Sequence, residues 1–367
     1  MNILIVKMSA IGDVIHTLPA LNAIRNHYPH AHITWLVEED ASALVKGHPA
    51  LDRVLVSKRK RWVKGLLGRS APDNARELYR FVKELRDTRY DLIIDFQGLI
   101  KSGVLIGLSR GARKVGFGRG MEHQEGSYLF LNERIPAVDM DNHALLRSKM
   151  LLDALGIPSN DIEYNLPMHD EDRERVNRLL ERHGIQNPGL LVAINPVAKW
   201  ATKLWGNSKF AELADGLVER YGAEVVFTGS QADRRGIQDI ISIMARESVN
   251  LAGKTSLTVL AALFEKVDFL VSTDTGPMHM AAALETPVVA LFGPTAPWRT
   301  GPFGPNHQVV RVGMECSPCF KRQCESVVCM EQLSVEQVFG GINKLAIVQS
   351  LRIHGTKGRG SRTGDRE

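Results

Sequence analysis

The chain has 367 residues, more than one ordinary core needs and enough for two or three domains. Apolar residues make up 44% and charged residues 24%, which excludes wholesale disorder and collagen-like composition. The formal charge is +5, but residues 352–367 hold five basic residues and two acids, which leaves a nearly neutral body and disfavours a general nucleic-acid binder.

Met1 leads directly into an apolar strand at 3–6, without the charged segment and cleavage site of a signal peptide, and no apolar run reaches membrane-spanning length. A cytoplasmic protein is expected. Strands follow at 32–37, 92–95, 190–194, 224–228, 268–272 and 287–292. Helix-period stretches at 18–27, 76–86, 170–181, 207–220 and 258–264 separate them. Continuous apolar strands alternating with helices predict an α/β protein with buried parallel sheets. The alternation restarts near residue 190, so two doubly wound, Rossmann-like domains facing a cleft are expected, at 1–168 and 169–333. A helix at 334–351 is expected to pack back on the first domain. The tail 355–367 is Gly, Lys, Arg, Ser and Thr without periodicity and reads as disordered.

In an open parallel sheet, ligands bind beyond the carboxyl ends of the strands. The first such loop is Lys7-Met8-Ser9-Ala10-Ile11-Gly12-Asp13. Gly12 permits close backbone approach. Asp13 reads either as a helix cap or as a carboxylate facing the cleft. Two basic stretches follow without an acid: Arg53, Lys58, Arg59, Lys60, Arg61, Lys64 and Arg69, then Lys101, Arg110, Arg113, Lys114 and Arg119. They point to an anionic ligand, with solvated faces, nucleic acid and anionic lipid as competing readings. Gly116-Phe117-Gly118-Arg119-Gly120 approaches a dinucleotide fingerprint, but no strong buried strand precedes it, so a mobile loop is expected.

In the second half, Ser272-Thr273-Asp274-Thr275-Gly276-Pro277-Met278-His279 joins a strand end to a helix start. Pro277 suits the first turn, and free amides at Thr275 and Gly276 would receive a diphosphate. His279 falls near the same ligand, or faces solvent on a structural helix. Lys203 is placed to neutralise a leaving phosphate, and Asp233 to take a ribose hydroxyl. Cys316, Cys319, Cys324 and Cys329 fall within 14 residues. Their number suits a structural zinc; reduced thiols or a labile disulfide are the alternatives.

These segments resemble the bacterial lipopolysaccharide heptosyltransferases of glycosyltransferase family 9, and heptosyltransferase I more than II. The resemblance is carried by the 7–14 loop, His16-Thr17-Leu18-Pro19, Asp95-Phe96-Gln97-Gly98 with Lys101-Ser102, Lys203-Leu204-Trp205 and 272–279. It implies a GT-B fold, an acceptor domain first and a donor domain second. It implies inverting, metal-independent transfer of heptose from ADP-heptose to the inner-core Kdo of lipopolysaccharide, with Kdo-lipid A as acceptor and no cofactor. It matches Asp13 to the catalytic base. It matches Lys203, Asp274, Thr275, Gly276 and His279 to donor-site positions, with Asp233 where the family often has Glu. Ser9, Gly12, Lys60, Arg61 and Lys64 fall to the acceptor side. Gln124 departs from the arginine usual in heptosyltransferase I. An enzyme of this kind would sit peripherally on the anionic cytoplasmic face of the inner membrane.

Overall fold

The computed structural model describes residues 1–65, 71–121 and 125–350. Arg69, Gln124 and the tail at 355–367 lie outside them. The chain divides into two compact units, Met1–Pro167 and Met168–Glu367.

The first unit runs β1 (Asn2–Val6), α1 (Ile11–Ile15), α2 (Leu18–His27), β2 (His32–Glu38), β3 (Arg53–Ser57), α3 (Arg59–Gly65), α4 (Ala71–Arg86), β4 (Arg89–Asp95), α5 (Ile100–Leu108), β5 (Arg110–Phe117), β6 (Glu133–Ile135) and α6 (Ala144–Asp153). All six strands are parallel, in the order β3-β2-β1-β4-β5-β6. Ile3, Leu4, Ile5 and Val6 on the central strand are fully buried, because a parallel sheet is covered on both faces by its crossover helices. Trp62 and Phe81 pack ring to ring at 5.0 Å and hold α3 and α4 together.

Two expectations change here. Residues 53–57 form a strand paired with β2. Gly116 and Phe117 end a strand rather than forming a mobile loop, since β5 lies between β4 and β6. A side chain at Gly116 would meet Leu131 at 2.9 Å and the Asp95 Cβ at 3.1 Å. This glycine therefore serves close packing.

The second unit runs α7 (Asp170–Glu181), β7 (Leu191–Asn195), α8 (Asn207–Tyr221), β8 (Glu224–Phe227), α9 (Arg234–Ile241), β9 (Val249–Asn250), α10 (Leu257–Lys266), β10 (Phe269–Thr273), α11 (Gly276–Ala283), β11 (Val288–Phe292), α12 (Pro297–Thr300), β12 (Gln308–Arg311), α13 (Val328–Glu331) and α14 (Val335–Ile342). Its order is β12-β11-β10-β7-β8-β9, again all parallel. Counted from its own first strand, this is the same 3-2-1-4-5-6 order as in the first unit, the doubly wound pattern.

The expected return of the C-terminal helix to the first domain is corrected. Val335, Val338, Phe339 and Ile342 of α14 are buried in the second unit's core with β11 and α8 residues. Gly216 of α8 makes room, because a Cβ there would lie 2.7 Å from the Phe339 ring. Burying an apolar helix face on its own unit removes that face from water without a long excursion of the chain.

Candidate functional site

A doubly wound sheet binds ligands where its strand order reverses, beyond the carboxyl ends of the strands. In the first unit that point lies between β1 and β4, and in the second between β7 and β10. The loops after these four strands carry Ser9, Gly12 and Asp13; Gln97 and Lys101; Lys203; and Asp274, Thr275 and Gly276.

In the first unit, Asp13 sits in the first turn of α1. Its Oδ2 accepts the amide of Ala10 at 2.8 Å, so Ala10 is the N-cap and Asp13 closes the first turn from the third helical position rather than capping the helix itself. Oδ1 carries no hydrogen bond among the described residues. The loop is held from the β4 side. The Oε1 atom of Gln97 accepts the amides of Met8 at 2.8 Å and Ser9 at 3.0 Å. Lys101 donates to the Ser9 hydroxyl at 2.5 Å and to Glu38 Oε1 at 3.0 Å. Asp95 fixes the support beneath: buried, it accepts the amides of Gln97 at 3.0 Å and Gly98 at 3.2 Å, and the Ser102 hydroxyl at 3.3 Å. Burial pushes its carboxyl up, and these hydrogen bonds oppose that. Lys7 donates to the Phe96 carbonyl at 2.9 Å. Burial lowers its ammonium, and the charge of Asp13 is the largest force holding it up.

The basic run of the first unit is less free than its sequence implies. Arg53 pairs with Asp87 at 2.8 Å, Lys58 with Glu77 at 2.8 Å, Arg59 with Glu38 at 3.4 Å, Lys60 with Asp40 at 2.5 Å and Arg61 with Glu77 at 3.8 Å. Lys64 is exposed and has no ion pair among the described residues. Glu38, only 2% exposed, gathers Lys101 from α5 and Arg59 and Lys60 from α3. In the second stretch, Arg113 is taken by Glu133 at 2.8 Å, whereas Arg110 and Arg119 carry no ion pair among the described residues.

In the second unit, half-buried Lys203 and buried Asp274 pair at 2.6 Å across the switch point. Thr295 donates to the same Asp274 oxygen at 2.6 Å. Lys203 also lies 4.5 Å from the centre of the Trp200 ring, and Arg322 lies 5.0 Å from it. Thr275 and Gly276 are partly exposed at the start of α11, and its first turn carries no acid. His279 is 7% exposed, which removes the solvent-facing alternative. Asp233 accepts the amide of Ser230 at 2.8 Å and its hydroxyl at 2.5 Å, so its carboxylate is engaged in closing its own turn.

The cysteine loop packs beside these residues: Thr202 donates to the Lys321 carbonyl at 2.8 Å. All four cysteines are unpaired. Among the described residues, no three Cys, His, Asp or Glu side chains are placed to hold a metal. Cys329 is buried, and burial, with the charges of nearby Cys319, Cys316 and Cys324, pushes its thiol up.

Sequence reading singled out Asp13, Lys203 and Asp274. It left Gln97, Glu38, Trp200 and Arg322 without roles. Gln97 and Glu38 lie in motif segments at strand ends, the available signal. Nothing local marks Trp200 or Arg322, which meet only in the fold.

Residues 78–328 match the pattern of glycosyltransferase family 9 (heptosyltransferase). The chain is 32% identical to lipopolysaccharide heptosyltransferase 1 of Pseudomonas aeruginosa over 88% of this chain and 87% of that one. It is 30% identical to lipopolysaccharide heptosyltransferase 1 of Escherichia coli K12 over 86% of this chain and 95% of that one. The solved structure of E. coli heptosyltransferase WaaC with ADP superposes with a TM-score of 0.74 at 26% identity, covering 94% of this chain and 99% of that one.

Proposed function

The chain belongs to glycosyltransferase family 9, and from that premise we propose that it transfers heptose from ADP-heptose to the inner-core Kdo of a lipopolysaccharide precursor, with inversion and without a metal. The observation that carries this reading is the unlike chemistry of two equivalent switch points. One presents a carboxylate with an unbonded oxygen, Asp13. The other presents a partly exposed helix start without an acid, beside Lys203.

Asp13 accepts the proton of the attacking acceptor hydroxyl through Oδ1. The hydroxyl oxygen bonds to the anomeric carbon as the bond to the diphosphate breaks on the opposite side. Charge growing on ADP is met by the amides of Thr275 and Gly276 and by the positive end of α11. Lys203 has three donors, so it reaches the diphosphate while keeping one on Asp274. His279 lines the same helix start. Asp233 closes its turn through Oδ2 alone, which leaves Oδ1 for a ribose hydroxyl. On the acceptor side, Lys64 supplies the positive charge that is free of carboxylates, and Lys60 and Arg61 stand beside it. The acceptor is a lipid, so the enzyme works at a membrane surface; no helix among the described residues is long and apolar enough to cross one.

The test is incubation with ADP-heptose and Kdo2-lipid A, with and without chelator, following ADP release and acceptor mass. The expected result is one added heptose, unaffected by chelator, and its loss in Asp13→Ala with ADP binding retained. Turnover only on an acceptor that already carries heptose would move the assignment to heptosyltransferase II-like transfer. Unchanged turnover in Asp13→Ala would end the assignment of the base.

A further inference from the structure

Helix α5 is apolar on two opposite sides. Its inner side, with Ser102, Leu105 and Ile106, is buried on the sheet. Its outer side carries Ile100, Val104 and Leu108, four residues apart and therefore on one face. They are 42%, 44% and 38% exposed. The 3-10 turn Ser127–Phe130 packs on the same helix, with the Phe130 ring seated where Gly103 and Gly107 lack side chains. That turn also carries Leu129, 66% exposed. Twelve large apolar residues stand exposed among the described residues; three of them form this row on α5, and Leu129 lies on the turn packed against the same helix. A helix apolar on both sides is normally buried on both. The outer side of α5 therefore lacks a second apolar phase.

The surroundings say which phase. Arg86, at the end of α4, donates to the Leu108 carbonyl at 2.6 Å and ties α4 to the end of α5. Burial lowers the ammonium of Lys114, and the charge of nearby Arg86 adds to it. Arg80 and Lys83 of α4, and Arg110 after α5, are exposed and carry no ion pair among the described residues. Of the nearby acids, Asp87 and Glu133 are held by Arg53 and Arg113; Glu84 is exposed on α4, and Glu125 accepts the Ile100 amide at 3.3 Å. Protruding apolar side chains rimmed by cations complement an anionic lipid surface. A second copy of the chain fits less well, because a two-fold contact would bring this cationic rim against itself.

We propose that the outer face of α5, with Leu129, inserts shallowly into an anionic bilayer while Arg80, Lys83 and Arg110 lie among the headgroups. The reading of a lipid acceptor gives this surface its purpose, and the proposal rests on it only there. The first turn of α5 carries Lys101, which touches the Ser9 hydroxyl. A lipid-borne acceptor would thus arrive beside the Asp13 loop.

The test is co-sedimentation of the full chain with sucrose-loaded vesicles, of phosphatidylcholine alone and with one part in about three of phosphatidylglycerol. Donor and acceptor are omitted. Binding is expected to the anionic vesicles and to weaken with salt. Val104→Ser with Leu129→Ser should cut partition by about tenfold or more at every salt concentration. Arg80→Ser with Lys83→Ser should cut it by roughly 25-fold at low salt, about fivefold for each cation near the surface. Both positions are exposed, so thermal unfolding should not change. As a second readout, tryptophan placed by Val104→Trp should shift its emission to the blue on anionic vesicles. Wild-type-like binding by both double variants, or a tryptophan that ignores vesicles, overturns the proposal. So does self-association of the wild type that the Val104 and Leu129 changes abolish. Transfer to the lipid acceptor without any binding by this face would sink the surface and leave the function standing. Vesicle binding without transfer would do the reverse.

Discussion

Gln97→Ala is the sharpest probe of the first switch point. The change removes the single oxygen that accepts the amides of Met8 and Ser9, at 2.8 and 3.0 Å. Met8 is fully buried, so its amide finds no ready substitute. Leaving a buried donor unsatisfied costs about 1–3 kcal/mol. If the loop relaxes to recover a partner, Asp13 leaves its position; about 2 kcal/mol spent this way lowers kcat roughly 30-fold. The assay is ADP release with ADP-heptose and Kdo2-lipid A. KM for the donor should stay unchanged, because the residues proposed to hold the donor belong to the other unit. Gln97→Glu, which keeps an oxygen acceptor, should restore most of the rate. In an Asp13→Ala background, Gln97→Ala should cost nothing further, since a positioning residue has no effect once its target is gone. A full further loss in that background, or an unchanged kcat in the single variant, would refute the positioning role.

Three further outcomes follow from the geometry. Lys203→Ala leaves Asp274 buried with only Thr295 beside it, and should destabilise the fold by about 3–5 kcal/mol in urea unfolding. Burial holds His48 below the ordinary histidine value of 6.5, while its ring bonds the Tyr164 carbonyl and the Ala50 amide at 3.1 Å each. A lowered folded value means that the unfolded chain binds more protons, so the stability difference between wild type and His48→Ala should shrink as pH falls below 6.5; a difference that grows there would contradict it. With a thiol reagent, exposed Cys316 and Cys324 should react first and buried Cys329 last, and purified protein should contain no stoichiometric zinc.

The central strands were legible because they are continuously apolar, and a doubly wound order needs little else. β5 was not, because Arg110, Arg113 and Lys114 look like ligand groups until Glu133 on the neighbouring strand claims Arg113. The same blindness affected residues 53–64. An acid-free run in sequence says nothing about carboxylates arriving from Asp87, Glu77, Glu38 and Asp40 in space. Asp13 and Asp274 could be placed at strand ends, but not their hydrogen bonds. The four cysteines were less legible for a related reason: spacing fixes how near they are along the chain, but not that Cys329 is buried while Cys316 and Cys324 stand exposed.

The two switch points differ by where their acids stand. In the first unit the acid lies inside the helix, in the first turn of α1. It satisfies one helix amide and offsets the positive end, so an anion there would meet a carboxylate. In the second unit the acid, Asp274, lies before the helix, and Lys203 offsets its charge while Lys203 and Thr295 both bind its Oδ2. The start of α11 then keeps its amides and its dipole for an incoming anion. In the proposed reaction, moving one carboxylate a few residues along equivalent loops would suit one Rossmann-like sheet to proton acceptance and the other to phosphate. That division of labour is what transfer from a diphosphate to a hydroxyl requires.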